Sequence, residues 1–365
     1  MTAEISWDEL PLREEIRDAV PYGDPHFDVP ARLNMNENPY PPSDLVRADI
    51  LQAVRVATDN IHRYPDREAT HLRQAMAEYL GYGLTANNVW AANGSNELMI
   101  QILGAFGGPG RTVLNFTPSF SMYPEYARDT HTEYVAVPRL DDFSISVELA
   151  ASAIAEHKPH VTIIASPNNP TGTLTDFDVI EKILTMTDGI VVVDAAYQEF
   201  SSGQSALELL PRYGNLVVTR TMSKAFAFAG ARVGYAAAAE AVINALRVVR
   251  LPYHLNSYTQ AVACAAFSHA DELLSQVSHL CVLRDEAITR VRAMGLDAPD
   301  SQANFFLFGP WKNRHDTWRA LVDHGVLVRE TGPVEYLRAS IGTDEQMELF
   351  YRGLTQVLAQ ERSQG

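Results

Sequence analysis

The sequence predicts an α/β protein in which a large domain, with a mostly parallel sheet flanked by helices, is joined to a smaller α+β domain. The chain has 365 residues, which is enough for one large domain and a smaller one. Strand-like and helix-like stretches alternate through its middle, as they do in βα units. One strand-like stretch, IVVVD at 190–194, is apolar enough to be buried on both faces, as strands of parallel sheets are.

Residues 1–45 form a proline-rich arm with little regular structure. Pro39, Pro41 and Pro42 exclude a helix there and favour an extended segment that lies over another part of the protein. Beyond this arm, the apolar periodicity predicts strands at 88–93, 111–116, 133–138, 161–166, 190–194 and 215–220, and helices at 72–80, 95–106 and near 176–187. We therefore expect a large, ligand-binding domain over 46–265.

The C-terminal part of the chain has a different pattern. A long helix-like segment, roughly 271–294, precedes strand-like stretches at 304–309, 325–330 and 336–342, with helices between and after them. This order is typical of a smaller α+β unit. We expect that unit to consist of 266–365 together with the N-terminal arm, 1–45.

Composition and charge argue against several kinds of function. The formal net charge is −16 and the pI is about 5.1, so neither nucleic acid nor an anionic membrane is expected as a partner. The two cysteines, Cys264 and Cys281, lack the spacing of a zinc site or a disulfide framework, and no metal is expected. No apolar run reaches the ~20 residues that span a bilayer, and the polar N-terminus does not resemble a signal peptide. The expected location is the cytoplasm.

Polar residues concentrate directly after the predicted strands, where open parallel sheets bind their ligands. These segments are Gly94-Ser95-Asn96, Pro118-Ser119-Phe120, Pro167-Asn168-Asn169-Pro170, Asp194 with Tyr197, and Thr221-Met222-Ser223-Lys224. The first opens a predicted helix whose free amides suit an anion, although a simple helix cap explains it equally well. The third is either only a tight turn or a rigid turn that presents amide side chains to a ligand.

Asp194 and Lys224 are the two charged residues that most call for an explanation. A carboxylate buried at the end of an apolar strand needs a cation, unless Asp194 ends in solvent or caps a helix. Lys224 lies in TMSKAFAFAGARVGY, which is neither a Walker A loop nor a dinucleotide fingerprint. A lysine beside a serine is commonly a surface residue. Between apolar flanks, and with Arg232 nearby, its pKa would fall and its neutral amine could form a Schiff base.

Taken in order, the motifs GSNE, PSFSMY, SPNNPTG, VVVDAAY, TMSKAF and AGARVGY resemble those of the pyridoxal-phosphate aminotransferases of fold type I. More narrowly, the chain resembles the histidinol-phosphate aminotransferases. LNMNENPYPPS, HRYPD, SQANFF and LRASIGT extend this match almost from end to end. Each motif is weak alone, but six of them in order at fitting spacings are specific.

The resemblance implies a pyridoxal 5'-phosphate cofactor and a role for each of these residues. Lys224 is implied to be the Schiff-base lysine, and Asp194 to pair with the protonated pyridine nitrogen, which would supply the missing cation. Tyr197 and Asn168 are implied to bind the ring's phenolic oxygen, and Phe120 to stack on the ring. The implied phosphate ligands are Gly94, Ser95, Asn96, Thr221, Ser223, Arg232 and, from the neighbouring subunit of a homodimer with shared active sites, Tyr64.

The resemblance also implies a reaction. This is the transamination of L-histidinol phosphate with 2-oxoglutarate, a step of histidine biosynthesis that yields imidazole acetol phosphate and L-glutamate. The implied substrate contacts are Tyr22, Asn96, Tyr253, Arg329 and Arg338. Arg338 also suits the carboxylate of glutamate, because a guanidinium fork serves both anions. By residue type alone, Arg329 could equally be a surface strand residue and Tyr253 a core residue.

Two positions depart from the family pattern. Ala195 stands where glutamate is common, which removes a charge near Asp194 and Tyr197. Phe120 stands where tyrosine is frequent, so that stacking is retained while one hydroxyl contact is lost. Neither departure removes a residue that is implied to hold the cofactor.

Three other functions are open at the level of sequence. An aromatic amino-acid aminotransferase, acting on phenylalanine or tyrosine, would use the same cofactor and an aromatic pocket. A pyridoxal-phosphate-dependent decarboxylase of phosphorylated amino acids would release CO2 and need no 2-oxo acid. A cofactor-binding regulator would require a nucleic-acid-binding segment, for which the acidic chain offers no basic helix or spare domain.

Overall fold

The computed structural model describes residues 4–23 and 25–364, with side chains as far as residue 361. Its strands and helices, numbered along the chain, are β1 (Ala31–Arg32), α1 (Asp44–Thr58), α2 (Thr70–Leu80), β2 (Val89–Ala92), α3 (Ser95–Phe106), β3 (Thr112–Thr117), α4 (Tyr123–Asp129), β4 (Glu133–Pro138), α5 (Val147–His157), β5 (Val161–Ala165), α6 (Phe177–Met186), β6 (Ile190–Asp194), β7 (Leu216–Thr221), β8 (Gly234–Ala238), α7 (Glu240–Val249), α8 (Ser257–Phe267), α9 (Ala270–Leu274), α10 (Val277–Ala293), β9 (Phe305–Phe308), α11 (Arg314–Asp323), β10 (Val326–Leu327), β11 (Leu337–Ser340) and α12 (Asp344–Gln364).

A seven-stranded sheet forms the centre of the large domain, in the spatial order β2-β8-β7-β6-β5-β3-β4. Strands β3 to β7 run parallel to their neighbours, whereas β8 runs antiparallel to both β7 and β2. The predicted fold class, a mostly parallel sheet flanked by helices, is confirmed. The sequence did not indicate β8, because its GYAAA stretch is poor in the β-branched residues that mark a strand.

Helices cover both faces of this sheet, so an apolar cluster lies on each side. Val191 and Val193 of β6 belong to one cluster, and Val192 belongs to the other. Successive side chains of a strand point to opposite faces, so β6 is buried on both sides, as its sequence predicted. Burying the strand in this way brings its last residue, Asp194, to the carboxyl edge of the sheet inside the protein.

A further apolar cluster holds the C-terminal part together and includes two residues of the N-terminal arm, Ala31 and Leu33. In this region β9 pairs antiparallel with β11, while β1 of the arm pairs in parallel with β10. The end of the arm therefore contributes to the C-terminal core. The boundaries of the two predicted domains stay a prediction.

Two predicted elements of the C-terminal part differ from the structure. The long helix predicted near 271–294 is interrupted between α9 and α10, where the Ser275 hydroxyl donates a hydrogen bond to the carbonyl of Glu272 at 2.6 Å. Such a local bond competes with the helical ladder. The strand predicted at 325–330 shortens to β10, beyond which Arg329 forms an isolated bridge with Arg338.

Within the described ranges, no helix is both long and apolar enough to cross a membrane. The same ranges contain no group of three or more His, Cys, Asp or Glu side chains that could hold a metal ion. Cys264 and Cys281 are free thiols.

Candidate active site

One pocket, with a volume of about 320 Å³, opens at the carboxyl edge of the sheet and is closed on its other side by the N-terminal arm and the C-terminal part. Most of the residues predicted from the sequence line it: Tyr22, Ser95, Asn96, Phe120, Asp194, Tyr197, Thr221, Ser223, Lys224, Arg232, Arg329 and Arg338. Gly94 lies directly behind this lining, and Asn168, Tyr64 and Tyr253 are not part of it. The parallel sheet brings these residues together because its strands end at one edge.

Asp194 presents a buried carboxylate to the pocket and is only 8% exposed. Its Oδ2 accepts a hydrogen bond from the Tyr123 hydroxyl at 2.8 Å, and its Oδ1 accepts one from the Thr219 hydroxyl at 3.2 Å. Burial raises the pKa of Asp194 above its ordinary value, and these hydrogen bonds oppose the rise. The groups that act on this carboxyl are hydroxyls and a backbone amide, and none of them is a cation.

Tyr123 is a site residue that sequence reasoning missed. It begins α4, is almost completely buried, and packs its ring edge-on against Phe120, with 5.6 Å between the ring centres. Burial raises its pKa well above the ordinary value, so the phenol stays protonated and donates to Asp194. The only signal in the sequence was an aromatic residue shortly after PSF, which a core position explains equally well.

Lys224 follows β7 and extends its amine into the pocket. The Nζ atom donates a hydrogen bond to the backbone carbonyl of Met35 at 2.9 Å and lies 5.9 Å from the ring centre of Tyr197. Burial lowers the pKa of Lys224 to about 7, and the positive charges of Arg338 and Arg232 act in the same direction. A large fraction of the amine is then neutral near pH 7, as a nucleophile or a general base requires.

The N-terminus of α3 forms one side of an anion cradle. Gly94 immediately precedes this helix with φ of +86°, a conformation that glycine adopts at little cost. Gly234 of β8 allows the close approach, because a Cβ atom there would collide with the backbone nitrogen of Ser95. The amides at Ser95 and Asn96 thus begin a helix at the pocket wall, with the positive end of its dipole directed there.

Arg232 and two hydroxyl residues complete this cradle. Arg232 has φ of +55° and donates hydrogen bonds to the Ser223 hydroxyl at 3.3 Å and to the carbonyl of Ala229 at 3.1 Å. The Thr221 hydroxyl donates to that of Ser223 at 3.0 Å, so the two hydroxyls and the guanidinium are linked. A Cβ atom on Gly94 would lie 2.6 Å from the Arg232 Nη2 atom, so the guanidinium is seated directly against the glycine.

In the SPNNPTG turn, Asn169 lines the pocket and the predicted Asn168 does not. The side chain of Asn168 is fully buried, accepts from the Ser119 hydroxyl, and donates to the Pro118 carbonyl and the Thr171 hydroxyl. These bonds use both amide hydrogens of Asn168. Asn169 lines the pocket, and its Oδ1 accepts a hydrogen bond from Arg338 Nη1 at 2.6 Å. Because two asparagines adjoin in the motif, the sequence could not show which one faces the pocket.

Two arginines line the wall of the pocket that faces the sheet. Arg338 is buried, and besides Asn169 it binds the carbonyl of Asn34 through Nη2 at 2.6 Å, while its Nε has no hydrogen-bond partner. Arg329 lies nearer the mouth, where it donates to the Tyr22 hydroxyl at 3.4 Å with its guanidinium over the Tyr22 ring. From the sequence, Arg329 could have been either a surface strand residue or a substrate contact. In the structure it lines the pocket.

Tyr64 and Tyr253 lie together outside this pocket. Their rings are stacked, with centres 4.5 Å apart, and Tyr64 is 80% exposed. Tyr253 is 40% exposed, so it is not the core residue that its residue type alone also allowed. Within one chain they have no access to the groups around Lys224.

The residues of this pocket fit pyridoxal phosphate. The buried carboxylate of Asp194 suits a protonated ring nitrogen, because its hydrogen-bond donors among the described residues are hydroxyls and a backbone amide, without a cation. The weakly basic amine of Lys224 suits an aldehyde, and the cradle around Arg232 suits a phosphate. Phe120 offers an aromatic face at the pocket wall.

Comparison with known proteins agrees with this arrangement. The sequence model of the family "Aminotransferase class I and II" matches residues 30–354. A histidinol-phosphate aminotransferase of Thermobifida fusca is 53% identical over 352 residues, which cover 96% of both chains. Histidinol-phosphate aminotransferase 3 of Burkholderia lata is 50% identical over 363 residues, with 98% of both chains covered.

A solved structure is similar over nearly the whole fold. The crystal structure of histidinol-phosphate aminotransferase from Sinorhizobium meliloti, in complex with pyridoxal-5'-phosphate, matches with a TM-score of 0.82 and 25% identity, and the match covers 92% of each chain. The family match and the relatives extend over the segments that form the pocket. The chain therefore belongs to the class I and II aminotransferases, and within them to the family of histidinol-phosphate aminotransferases.

Proposed function

We propose that this aminotransferase moves the amino group of L-histidinol phosphate to 2-oxoglutarate, yielding imidazole acetol phosphate and L-glutamate in histidine biosynthesis. The observation that carries the proposal is the pair Arg329 and Arg338 on the wall opposite a floor that fits pyridoxal phosphate. Both substrates bring an anion to the pocket, a phosphate in one case and carboxylates in the other. The names of the T. fusca and B. lata relatives support the same substrate.

The chain's residues divide the work of holding the cofactor. Asp194 would hold the ring nitrogen in its protonated form, and Tyr197 and Asn169 would bind the ring oxygen. Ser95, Asn96, Ser223 and Arg232 would bind the phosphate, with Thr221 supporting Ser223. When bound, pyridoxal phosphate supplies an aldehyde that takes up amino groups and a ring that withdraws electrons from the substrate carbon.

Lys224 is the group that moves the proton. Its lowered pKa lets the amine accept the proton from the amino-bearing carbon of the substrate and return it later in the cycle. The hydrogen bond to the Met35 carbonyl and the nearby Tyr197 ring direct the amine within the pocket. No other lysine lines the pocket in the part of the chain that the structure describes.

Arg338 and Arg329 suit different parts of the substrates. Arg338 is buried, lines the pocket and has an Nε atom without a hydrogen-bond partner, so we assign it to the carboxylate of glutamate and 2-oxoglutarate. Arg329, Tyr22 and Asn96 lie at the more exposed part of the lining, and we assign them to the phosphate of histidinol phosphate. The two anions would then use neighbouring guanidinium groups.

We also propose a homodimer. Several large apolar side chains near the Tyr64–Tyr253 pair are exposed: Val56, Ile61, Val248 and Leu251. Hydrogen bonds from Arg250 to the Arg67 carbonyl and the Glu68 carboxylate join the two segments that carry them. We propose that these side chains form one apolar patch, which would be typical of a subunit interface. Tyr64 and Tyr253 would reach the phosphate and substrate of the partner's site across it.

The cytoplasm is the proposed location. Cys264 and Cys281 are both unpaired, which suits a reducing compartment. No contact of the proposed reaction calls for a membrane or nucleic acid, and the net charge of −16 disfavours both anionic partners.

The test is an amino-donor assay on enzyme loaded with pyridoxal phosphate. With L-histidinol phosphate we expect L-glutamate to form in step with consumed 2-oxoglutarate, no CO2 to be released, and no turnover when 2-oxoglutarate is omitted. Lys224→Ala should abolish this activity, whereas Lys182→Ala, at an exposed position of α6, should retain it. Release of CO2 without a 2-oxo acid would instead identify a decarboxylase.

A further inference from the structure

Three consecutive residues of the N-terminal arm, Asn34–Asn36, each contact one functional side chain. The carbonyl of Asn34 accepts a hydrogen bond from Arg338, and that of Met35 accepts one from Lys224. The third contact differs in kind, because Asn36 uses its side chain: Nδ2 donates to the Tyr197 hydroxyl at 3.0 Å.

The position of Asn36 is fixed by four hydrogen bonds. Its backbone nitrogen donates to the Ser340 hydroxyl at 2.8 Å, and its carbonyl accepts from Asn304 Nδ2 at 3.0 Å. The residue is 1% exposed and has φ of +54°, a region in which asparagine is tolerated better than most residues. A polar side chain buried this completely needs hydrogen-bond partners, and those of the Asn36 side chain are Ser340 and Tyr197.

Ser340 determines which way the amide of Asn36 faces. The Ser340 oxygen already accepts from the backbone nitrogen of Asn36, and its own hydrogen is directed to Asn36 Oδ1 at 2.9 Å. The carbonyl end of the amide is therefore on the serine side, and the NH2 end must face Tyr197. If the amide were turned the other way, its NH2 group would face the Ser340 hydroxyl, which would lose the acceptor for its hydrogen, and its carbonyl oxygen would take the hydrogen of the Tyr197 phenol.

The consequence concerns the phenolic hydrogen of Tyr197. A phenol has one hydrogen, and a partner that only donates can bind only its oxygen. We infer that Asn36 is a positioning residue: by occupying the Tyr197 oxygen as a donor, it leaves the phenol's single hydrogen to be given to the ring oxygen of the bound cofactor. The phenol itself stays protonated, because burial raises its pKa to about 12.

This inference deepens the proposed function and rests on its cofactor, though not on its substrate. A donor to the ring oxygen stabilises the negative charge there and so lowers the pH at which the chromophore of the loaded enzyme loses its proton. Removal of that donor should raise the pH midpoint of the visible absorbance. Since a hydrogen bond to a charged group contributes about 1.5 kcal/mol, the expected rise is about one pH unit.

The decisive variant is Asn36→Asp, because aspartate keeps the shape and can still accept from Ser340 but has no hydrogen to donate. The Tyr197 phenol then gives its hydrogen to the new carboxylate, and the midpoint should rise about as far as in Tyr197→Phe. To separate this from a direct effect of the added charge, the substitution is repeated in the Tyr197→Phe background. There we expect no further rise, because the effect passes through the phenol.

A second variant and a control complete the design. Asn36→Gly removes the amide at a positive φ without backbone strain, and it should shift the midpoint in the same direction even if the aspartate variant folds poorly. Asn38→Ala is the matched control, since Asn38 donates to the Ala225 carbonyl at 3.0 Å from the same arm without touching Tyr197. It should leave the midpoint unchanged.

An unchanged midpoint in Asn36→Asp and Asn36→Gly would overturn the inference. The inference would also be overturned if Asn36→Asp raised the midpoint equally in the wild-type and Tyr197→Phe backgrounds. These readings need no substrate, so they are distinct from a failure of the proposed reaction, in which the absorbance is normal but L-histidinol phosphate is not turned over. A wild-type enzyme with no visible absorbance after loading would contradict the cofactor assignment and this inference together.

Discussion

At the scale of single residues, Asp194 shows how the sequence and the site are connected. The apolar strand β6 carries its last side chain to the pocket floor, where hydroxyls of Tyr123 and Thr219 donate to the carboxylate. Neither donor neutralises it, so the raised pKa of Asp194 is a cost to the empty fold. A protonated ring nitrogen would offset that cost if, as we propose, Asp194 pairs with it in the loaded enzyme.

We expect Asp194→Asn to slow turnover by about a hundredfold, because leaving a buried cation unpaired costs about 3 kcal/mol.

In the cofactor-free protein, the same substitution should increase stability at neutral pH. The folded state holds the Asp194 proton more tightly than the unfolded chain does, so this carboxyl stabilises the fold at acidic pH and that stabilisation is lost as the pH rises through the raised pKa. The Tm of the cofactor-free variant should exceed that of wild type at neutral pH, and the difference should shrink on acidification. Equal Tm values at neutral pH would contradict the account.

Lys224 gives a second expectation at this scale. Because burial and two arginines lower its pKa to about 7, the cofactor-free amine should react with an amine-directed label at a rate that is half-maximal near pH 7. Peptide mapping of the label against pH measures this directly, and exposed Lys182 provides an internal reference for the amount of label added. A midpoint for Lys224 near 10 would show that the pocket does not perturb the amine.

Two physical causes explain why sequence reasoning missed some residues. Asn169 and Asn168 are adjacent and chemically identical, and only the course of the turn decides which side chain faces the pocket. Tyr123 and Asn36 act through neighbours that are distant in the chain, Asp194 and Tyr197. The charged residues Asp194, Lys224 and Arg232 could be predicted, because burial of a charge has few explanations.

At the scale of secondary-structure elements, the anion cradle depends on how closely β8 and Arg232 approach the start of α3. Gly94 and Gly234 permit this approach, and a Cβ atom at either position would meet the opposing element. The motifs GSNE and AGARVGY therefore form the anion cradle together. Their glycines were visible in the sequence, but the antiparallel strand that brings them together was not, since its alanines give no strand signal.

We expect Gly94→Ala to raise the Kd for pyridoxal phosphate at least tenfold, because the methyl group displaces the Arg232 guanidinium. Gly81→Ala is a matched control. Gly81 also has a positive φ, +74°, but its added Cβ would meet no atom within 4 Å. Both variants should lose stability by about 1 kcal/mol from backbone strain, and only Gly94→Ala should lose cofactor affinity. Affinities are measured by titration of the visible absorbance. Equal affinities in the two variants would show that the cradle does not depend on Gly94.

At the scale of the whole molecule, the pocket of one chain lacks the predicted contributions of Tyr64 and Tyr253, which are stacked on each other and exposed, and exposed Leu251 is close to Tyr253 in the chain. A homodimer that covers these residues would bring both tyrosines of each chain to the partner's pocket. This surface could not be predicted from the sequence, because exposed apolar residues are recognised only once the fold is known.

We expect Leu251→Glu to shift the protein from dimer to monomer in sedimentation analysis and to lower cofactor affinity at the same time. Leu251 is 71% exposed on the proposed interface. Leu140→Glu, at a position 43% exposed after the opposite edge strand β4, serves as the control and should remain dimeric. A monomeric wild type with full activity would exclude shared active sites.

The central claim is that this pocket selects a phosphorylated amino donor, and the ratio of kcat/KM for L-histidinol phosphate to that for L-phenylalanine, each with 2-oxoglutarate, tests it most directly. We expect a preference of at least a hundredfold for L-histidinol phosphate, since losing a charge-assisted contact costs about 3 kcal/mol. Arg329→Gln should collapse that ratio by lowering only the phosphorylated value. A wild-type preference for phenylalanine would contradict the account and make the protein an aromatic amino-acid aminotransferase.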